Sequence, residues 1–408
     1  MLFWAMALRN LGRNPRRSLL AGSVIVIGFS AFALAGGFMA QTFEALRDST
    51  IRGGTGHLQF ADPATFAGIE ETTLEHGLTE ADRAARILAG DSRVRAVLPR
   101  IDFVGLVTNG GRSVPFLGVG LEPAAERRWM EGASLVVSGR WLSGGPAGEV
   151  VLGAGLASAL GIRPGDSVTL LATSPEGTLN AQDAAVAGIL DLGLKELNDR
   201  YLATSIELAS RLLGVSGTFS KLVVVLDRAA EAKPALRSLS ALLRRDGFHL
   251  AGRTWEELAP FYRQVRLLYL GIFGFMGIIL GVVVLLATAN TMIMAVAERT
   301  REVGTLRALG TRPGLVMKTF FAEGVLLALA GGAAGLVLSL IVTVALNHSG
   351  IMLPPPPGAA HPIPIHVKIY PLAYFAGAAA MLAAVLLASW LPARRAARLP
   401  IIEALAHV

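Results

Sequence analysis

The chain has 408 residues, of which 53% are hydrophobic and only 16% are charged. Together with a mean hydropathy of +0.54, this composition excludes an ordinary soluble domain and indicates an integral membrane protein. The chain contains no cysteine, which excludes disulfides and thiolate metal sites.

The net charge of +7 is unevenly distributed. Residues 1–18, 298–318 and 394–408 together have a net charge of +9, whereas residues 41–266 have a net charge of −2. An excess of Lys and Arg beside apolar spans marks the cytoplasmic side of a membrane. The basic residues therefore indicate topology, with both termini in the cytoplasm, and we expect no nucleic acid as a partner.

The first 17 residues predict a cytoplasmic amphipathic helix, whose arginines suit the anionic headgroups of membrane lipids. An uncharged run follows and predicts transmembrane helix 1 at residues 18–40. A cleaved signal peptide is the alternative, because Ala33-Leu34-Ala35 resembles a small-residue cleavage site. The uncharged run is longer than a usual signal core, which favours a retained span.

Residues 41–266 predict one large periplasmic domain between transmembrane helices 1 and 2. Within it, alternating and β-branched residues predict strands at 93–98, 103–108 and 114–119. Asn109-Gly110-Gly111 predicts a hairpin turn between the last two of these strands.

The same domain is expected to have two lobes. A β-rich lobe at about 101–204 is inserted into an α/β lobe formed by residues of about 41–100 and 205–255. Polar, helix-prone stretches at both ends of the domain predict stalk helices continuous with the neighbouring spans.

The remaining residues predict three further spans and their connections. The fold class is therefore a membrane α-helical protein with four transmembrane helices and an inserted α/β and β-rich domain. The predicted segments are transmembrane helix 2 (267–297), a charged cytoplasmic segment (298–318), transmembrane helix 3 (319–346), a short periplasmic loop (347–368), transmembrane helix 4 (369–391) and a cytoplasmic tail (392–408).

The predicted spans contain few polar residues. Glu323 is the one charged residue inside them, and we expect it either to reach the inner interface or to meet an arginine of the charged segment. Carriers of polar solutes usually need ionisable residues at mid-membrane, so the spans argue against a hydrophilic path. Two small-residue pairs, Gly277 with Gly281 and Gly331 with Gly335, permit close helix contact, either within the bundle or in a dimer.

The charged segment is the most informative stretch. If residues 298–310 are helical, an apolar stripe is flanked by charged side chains, which suits a helix docked in a groove of a partner. A solvated positive-inside loop is the alternative. The predicted stripe is Val303, Leu306, Leu309 and Gly310, flanked by Arg299, Arg301 and Glu302.

Residues 298–310 resemble the coupling segment of the permease family that includes the macrolide exporter and the lipoprotein-releasing system, the FtsX-like, mechanotransmission or type VII ABC transporters. Residues 149–213 and 392–405 also resemble that family. The resemblance implies a bacterial inner-membrane complex in which two permeases, alike or homologous, sit on two ATP-binding subunits. The residues implied to contact the ATPase are Glu298, Arg299, Arg301, Glu302, Val303, Leu306, Arg307, Leu309 and Gly310.

The chain has no G-x-x-x-x-G-K-[ST] motif and no hydrolase motif. We therefore expect no catalytic, cofactor or metal site in it, and expect ATP and magnesium to bind in the partner subunit.

The resemblance favours extraction of lipoproteins or lipids towards a periplasmic carrier or the outer membrane. Drug or peptide export with a periplasmic adaptor and an outer-membrane duct is one alternative, and regulation of a periplasmic cell-wall hydrolase is another. The lipoprotein-releasing branch has a carrier-binding hook, and the corresponding loop here is short. Its candidate contact residues are Pro175, Glu176, Gly177, Thr178 and Leu179.

Overall fold

The computed structural model describes residues 2–13, 15–66, 74–130, 136–145, 148–193, 195–354, 362–398, 400 and 404. Parts of the predicted 347–368 loop and of the 392–408 tail lie outside these residues. The described chain divides into two compact units, each of which has its own core. We call Met1–Glu44, Gln264–Met352 and Pro364–Val408 the membrane unit, and Ala45–Arg263 with Leu353–Ile363 the inserted domain.

The described helices, in chain order, are α1 (Leu2–Arg13), α2 (Pro15–Thr50), α3 (Ala81–Ala89), α4 (Pro123–Met130), α5 (Ala154–Leu160), α6 (Lys195–Arg200), α7 (Ile206–Leu213), α8 (Ala232–Arg245), α9 (Trp255–Leu258), α10 (Pro260–Glu298), α11 (Thr300–Ala308), α12 (Pro313–His348) and α13 (Pro371–Arg398). The described strands are β1 (Leu58–Ala61), β2 (Val94–Thr108), β3 (Ser113–Leu121), β4 (Val136–Gly139), β5 (Glu149–Gly153), β6 (Ser167–Thr173), β7 (Leu179–Leu190), β8 (Tyr201–Ser205), β9 (Lys221–Leu226), β10 (Ala251–Thr254), β11 (Met352–Leu353) and β12 (Ile363–Pro364).

Four of the described helices are long and apolar enough to cross a membrane, which confirms the predicted class. They are α2 with the π-helical turn Ile51–Thr55, α10, α12 and α13. Each begins at a proline, which suits the first helical position because that residue needs no N–H partner. The continuation of α2 to Thr50 and the start of α10 at Pro260 agree with the stalk helices expected beside these spans. Helices α12 and α13 also extend beyond their predicted spans, since a count of apolar residues does not detect polar turns at helix ends.

The membrane unit packs around α2. Ile25 and Phe29 of α2 are almost fully buried against Leu327 of α12 and Val385 of α13. The packing is close because small residues occupy the crossing points. A Cβ on Gly331 would lie 2.8 Å from the Ile25 side chain, and one on Gly335 would lie 3.0 Å from Phe29.

The other small-residue pair lies in a more open place. A Cβ on Gly277 would lie 3.4 Å from Phe32, an ordinary contact, and one on Gly281 would have no atom of the described structure within 4 Å. Thus Gly331 and Gly335 serve packing inside the chain, whereas the surroundings of Gly281 leave room for another helix.

The described strands of the inserted domain form one continuous ten-stranded sheet, in the order β10-β1-β9-β2-β3-β8-β5-β7-β4, with β6 pairing with β2 and β7. Strand β2 connects the two halves of the sheet. Its first half pairs with β9, and its second half pairs with β3 and β6.

The two strands predicted at 93–98 and 103–108 are therefore one strand. The expected break at Pro99 and Arg100 does not occur, because Pro99 stays in register with Leu222 and Arg100 is buried in an ion pair. The predicted hairpin is confirmed: Thr108 pairs with Ser113, Gly110 has a φ of 86°, and the Asn109 side chain accepts from the N–H groups of Gly111 and Arg112.

The inserted domain has two main hydrophobic cores. One lies between β1, β9 and the helices α3 and α8, and the other lies among β2, β3 and β5 to β8 with the helices α5 and α7. Leu208 and Leu212 of α7 belong to the second core. That lobe therefore continues to Leu213, past the expected boundary at about residue 204.

Candidate functional site

The charged segment forms a short helix between two backbone breaks. Arg299 has non-helical backbone angles (φ −111°, ψ 14°) and separates α10 from α11. At the other end, Gly310 has a φ of +90°, and its N–H donates to the carbonyl of Arg307. A left-handed glycine ends a helix in this way at little steric cost. The segment is therefore helical at Thr300–Ala308 and is not an irregular loop.

The predicted apolar stripe is divided between two sides of this segment. Val303 is 5% exposed and packs against Val316, Phe320 and Ala396 inside the membrane unit. By contrast, Leu309 is 80% exposed. The expectation of one continuous docking stripe is wrong, because α11 ends at Ala308 and places Leu309 in the following turn. Val303 thus belongs to the chain's own core.

The outward side of the segment combines leucines with arginines. Arg301, Leu306 and Gly310 are exposed, Arg307 is half-buried, and Gly304 is turned inward against Ala404. Leu315 of α12, which the sequence pattern did not single out, is also 45% exposed. We define Arg301, Leu306, Leu309 and Leu315 as the leucine face.

The inward side is held by a buried ion pair. Nη1 of Arg299 lies 2.8 Å from Oε1 of Glu323, and the two side chains are 10% and 4% exposed. The Asn10 amide donates to the same Oε1 at 2.6 Å, and Nη2 of Arg299 donates to the Asn10 carbonyl at 3.1 Å. Of the two expectations for Glu323, the one in which it meets an arginine of the charged segment is confirmed.

Two further ion pairs join the segment to the N-terminal residues. Nη1 of Arg17 lies 2.9 Å from Oε2 of Glu298, and Nη1 of Arg13 lies 2.9 Å from Oε1 of Glu302. These contacts were not predicted from the sequence. A signal was present, since both the arginines and the glutamates are four residues apart, but nothing in the sequence indicated that segments almost 290 residues apart meet.

The candidate partner loop is a tight turn between β6 and β7. The N–H of Ser174 donates to the Thr178 carbonyl at 2.8 Å, and the N–H of Gly177 donates to the Ser174 carbonyl at 2.9 Å. Gly177 has a φ of +85°, and Leu179, which begins β7, is 66% exposed. Pro175 and Glu176 lie within this turn, so the structure shows a short hairpin here.

A second buried pair, not predicted from the sequence, lies in the inserted domain. Nη2 of Arg100 lies 2.6 Å from Oε1 of Glu126, and both side chains are at most 5% exposed. Arg100 also donates to the Gly54 carbonyl, just after α2. Burial alone would lower the pKa of Arg100, but Glu126, Tyr201 and Asp102 together outweigh burial and the pKa is raised.

No group of three or more His, Asp or Glu side chains in the described part of the chain could hold a metal ion.

The chain matches two protein-family models. Residues 18–242, more than half of the chain, match the MacB-like periplasmic core domain. Residues 272–401 match the C-terminal part of FtsX-like permeases. The chain therefore belongs to the FtsX-like permeases that carry a MacB-like periplasmic core domain, a class of multi-pass inner-membrane proteins.

Two groups of curated relatives support this assignment. The lipoprotein-releasing system transmembrane protein LolC of Neisseria meningitidis serogroup B is 26% identical over 260 residues, which cover 61% of this chain and 61% of LolC. The macrolide export ATP-binding/permease protein MacB of Shigella sonnei is 38% identical over 118 residues, which cover 29% of this chain and 16% of MacB. The chain thus spans less than two thirds of the length of either relative.

Two solved structures are similar to the chain. The extracellular domain of the ABC-type transporter YknZ from Gram-positive bacteria is 17% identical, with a TM-score of 0.34, and the match covers 48% of this chain and 98% of that one. The periplasmic region of MacB from Actinobacillus actinomycetemcomitans is 14% identical, with a TM-score of 0.35, and the match covers 52% and 95%.

Proposed function

We propose that this chain is the permease subunit of an ATP-driven mechanotransmission complex, in which a separate ATPase subunit docks on the leucine face. The observation that carries the proposal is the construction of the charged segment. Leu306 and Leu309 are exposed and have arginines near them in the sequence, whereas Val303 and the Arg299–Glu323 pair fix the same segment to the membrane unit. A rigidly held helix with an apolar outer side suits docking in a groove.

The charge distribution supports an orientation. The positive charge of the basic segments supports a cytoplasmic location for both termini and the leucine face, with the inserted domain on the periplasmic side. In this arrangement ATP and magnesium bind in the partner subunit, and ATP hydrolysis takes place there. The second permease of the complex is another copy of this chain or a homologue.

The membrane helices support mechanotransmission over conduction. Each of the four long helices has charged residues near one or both of its ends. Between the ends of these helices, Glu323 is the one charged side chain among the described residues, and it is 3% exposed and paired with Arg299. A polar solute crossing the bilayer would need ionisable or polar groups along its path. Movement of the helices therefore acts on a client that is already in the outer leaflet or outside.

For the client, we favour lipoproteins or lipids that are extracted towards a periplasmic carrier. LolC, the relative with the longer match, belongs by its name to a lipoprotein-releasing system. The candidate residues for contact with a carrier, Pro175 to Leu179, lie in the tight β6–β7 turn, where Leu179 is 66% exposed. Drug or peptide export with an adaptor is the second candidate, favoured by the similarity to MacB. Regulation of a cell-wall hydrolase is the third.

Co-purification with the candidate ATPase tests the docking. Leu309→Asp places a charge on the leucine face without disturbing the core, since the side chain is 80% exposed. We expect the variant to fold and to lose the ATPase. Arg307→Glu and Leu306→Asp should act in the same direction. The matched control is Leu242→Asp, another partly exposed leucine, on α8 of the inserted domain.

Equal recovery of the ATPase with all these variants would contradict the docking proposal. The client is tested separately by depleting the chain in its own host. Accumulation of lipoprotein or lipid in the inner membrane supports the first candidate. Drug sensitivity without such accumulation favours export, and a cell-separation defect with neither favours hydrolase regulation.

A further inference from the structure

The proposed ATPase acts on α11, yet α11 is not a continuation of any membrane-spanning helix. Arg299 breaks the backbone helix between α10 and α11, and Gly310 begins a turn before α12. Force applied to α11 must therefore reach the spans through side-chain contacts. The strongest polar ones are the contacts among Arg299, Glu323 and Asn10.

These three residues come from three different elements. Arg299 precedes α11, Glu323 lies on α12, and Asn10 lies on α1. Asn10 both donates to Glu323 and accepts from Arg299, so that each residue contacts the other two. The cleft beside them is lined by these three residues, by the apolar side chains of Met292, Ala295 and Leu327, and by Arg17, Ser18 and Thr291.

Three arginines and three glutamates form a cluster of ion pairs around this contact, so that their charges balance. Arg13, Arg17 and Arg299 pair with Glu302, Glu298 and Glu323, one to one. A balanced cluster does not attract an anionic headgroup or nucleotide, which argues against a ligand site here. Separating the inner pair would leave two buried charges without their partners, a costly state. The pair therefore stays closed when α11 is pushed.

We propose that Arg299, Glu323 and Asn10 form a joint that makes α11 move together with α12 and α1, while the helix break at Arg299 acts as the hinge towards α10. The inference rests on the proposed function, because it requires an ATPase that moves α11. The three residues are positioning residues, since they act on the spans through their contacts with one another.

Spin-label distances test the joint in the complex of the full chain with its ATPase. The chain has no cysteine, so labels can be placed without background. Thr305 on α11, His348 on α12 and Leu268 on α10 are exposed and are suitable cysteine positions. With AMP-PNP and Mg²⁺, we expect the Thr305–His348 distance to stay constant in the wild type and the Thr305–Leu268 distance to change.

Glu323→Gln removes the charge with little change of shape. We expect it to keep the ATPase bound but to release α11, so that the fraction of molecules in which the Thr305–His348 distance changes with nucleotide rises about tenfold. The charge swap Arg299→Glu with Glu323→Arg should restore the constant distance. The control Arg13→Gln removes only an exposed pair and should behave like the wild type.

The outcomes separate the two proposals. If wild-type chain does not retain the ATPase, both the function and the joint are overturned. If the ATPase is retained but Glu323→Gln leaves the Thr305–His348 distance constant, only the joint is overturned. The joint is also overturned if Arg13→Gln has as large an effect as Glu323→Gln, because the effect then comes from surface charge. Failure of the swap to restore the distance counts against the joint as well.

Discussion

Breaking the buried Arg100–Glu126 pair should strongly destabilise the inserted domain. Glu126→Leu leaves the Arg100 guanidinium, whose side chain is 5% exposed, without its carboxylate. Removing one partner of a buried ion pair costs about 3–5 kcal/mol. For a domain of 150–250 residues, 1 kcal/mol corresponds to a shift in melting temperature of about 2–4 °C. We therefore expect the melting temperature to fall by about 10 °C.

The assay is thermal unfolding of the full chain in nanodiscs, followed by tryptophan fluorescence, since Trp129 and Trp255 report on the inserted domain. The matched control is the double variant Arg100→Met with Glu126→Leu. It removes both charges and should lie within about 1 kcal/mol of the wild type, because apolar replacement of a buried pair is often neutral. A double variant as unstable as Glu126→Leu would refute the explanation by an uncompensated charge.

Three further predictions concern single positions. Burial, assisted by Arg47 and opposed by Asp48 and Asp227, lowers the pKa of His57 from 6.5 to about 4. Because the pKa of His57 is lower in the folded state than in the unfolded state, protonation of His57 favours unfolding. The stability contributed by the neutral imidazole is fully present above pH 6.5 and is lost as the pH falls towards 4. The loss between about pH 7.5 and pH 5 should be about 2 kcal/mol, and His57→Gln should remove this pH dependence from denaturant titrations. Gly335→Ala should destabilise the membrane unit by about 1–3 kcal/mol, measured as lower thermal stability in detergent, because its Cβ would lie 3.0 Å from Phe29. Gly281→Ala is its control and should not lower that stability, since its Cβ meets no described atom. Gly177→Ala should cost about 1–2 kcal/mol, because Gly177 has a φ of +85°; an unchanged melting temperature would show that the β6–β7 turn relaxes freely.

Local patterns in the sequence were sufficient for several features. The four apolar runs, the helical charged segment and the Asn109-Gly110-Gly111 turn each depend on neighbouring residues, which is why they could be predicted. Glu323 could be assigned an arginine partner because it lies only 24 residues from Arg299, with the short helix α11 and one turn between them.

Features that depend on long-range packing were not predictable in this way. Asn10 and Arg13 meet the charged segment only because α1 lies beside α12. No pattern among neighbouring residues indicates that these two helices are in contact. Likewise, a proline followed by an arginine normally argues against a strand interior. In β2 the pair Pro99-Arg100 is accommodated because Glu126 and the Gly54 carbonyl satisfy the guanidinium.

Val303 is 5% exposed and Leu309 is 80% exposed, although the sequence pattern predicted one shared stripe for them. Both were expected on one stripe because both are apolar residues in an amphipathic helix. The glycine at 310 ends that helix early, so Leu309 turns outward while Val303 remains in the core. A partner can therefore contact the outer side without competing with the chain's own packing. If an ATPase docks on the leucine face as proposed, binding energy gained there acts on α12 through the buried Arg299–Glu323 pair and on α1 through the hydrogen bonds of Asn10.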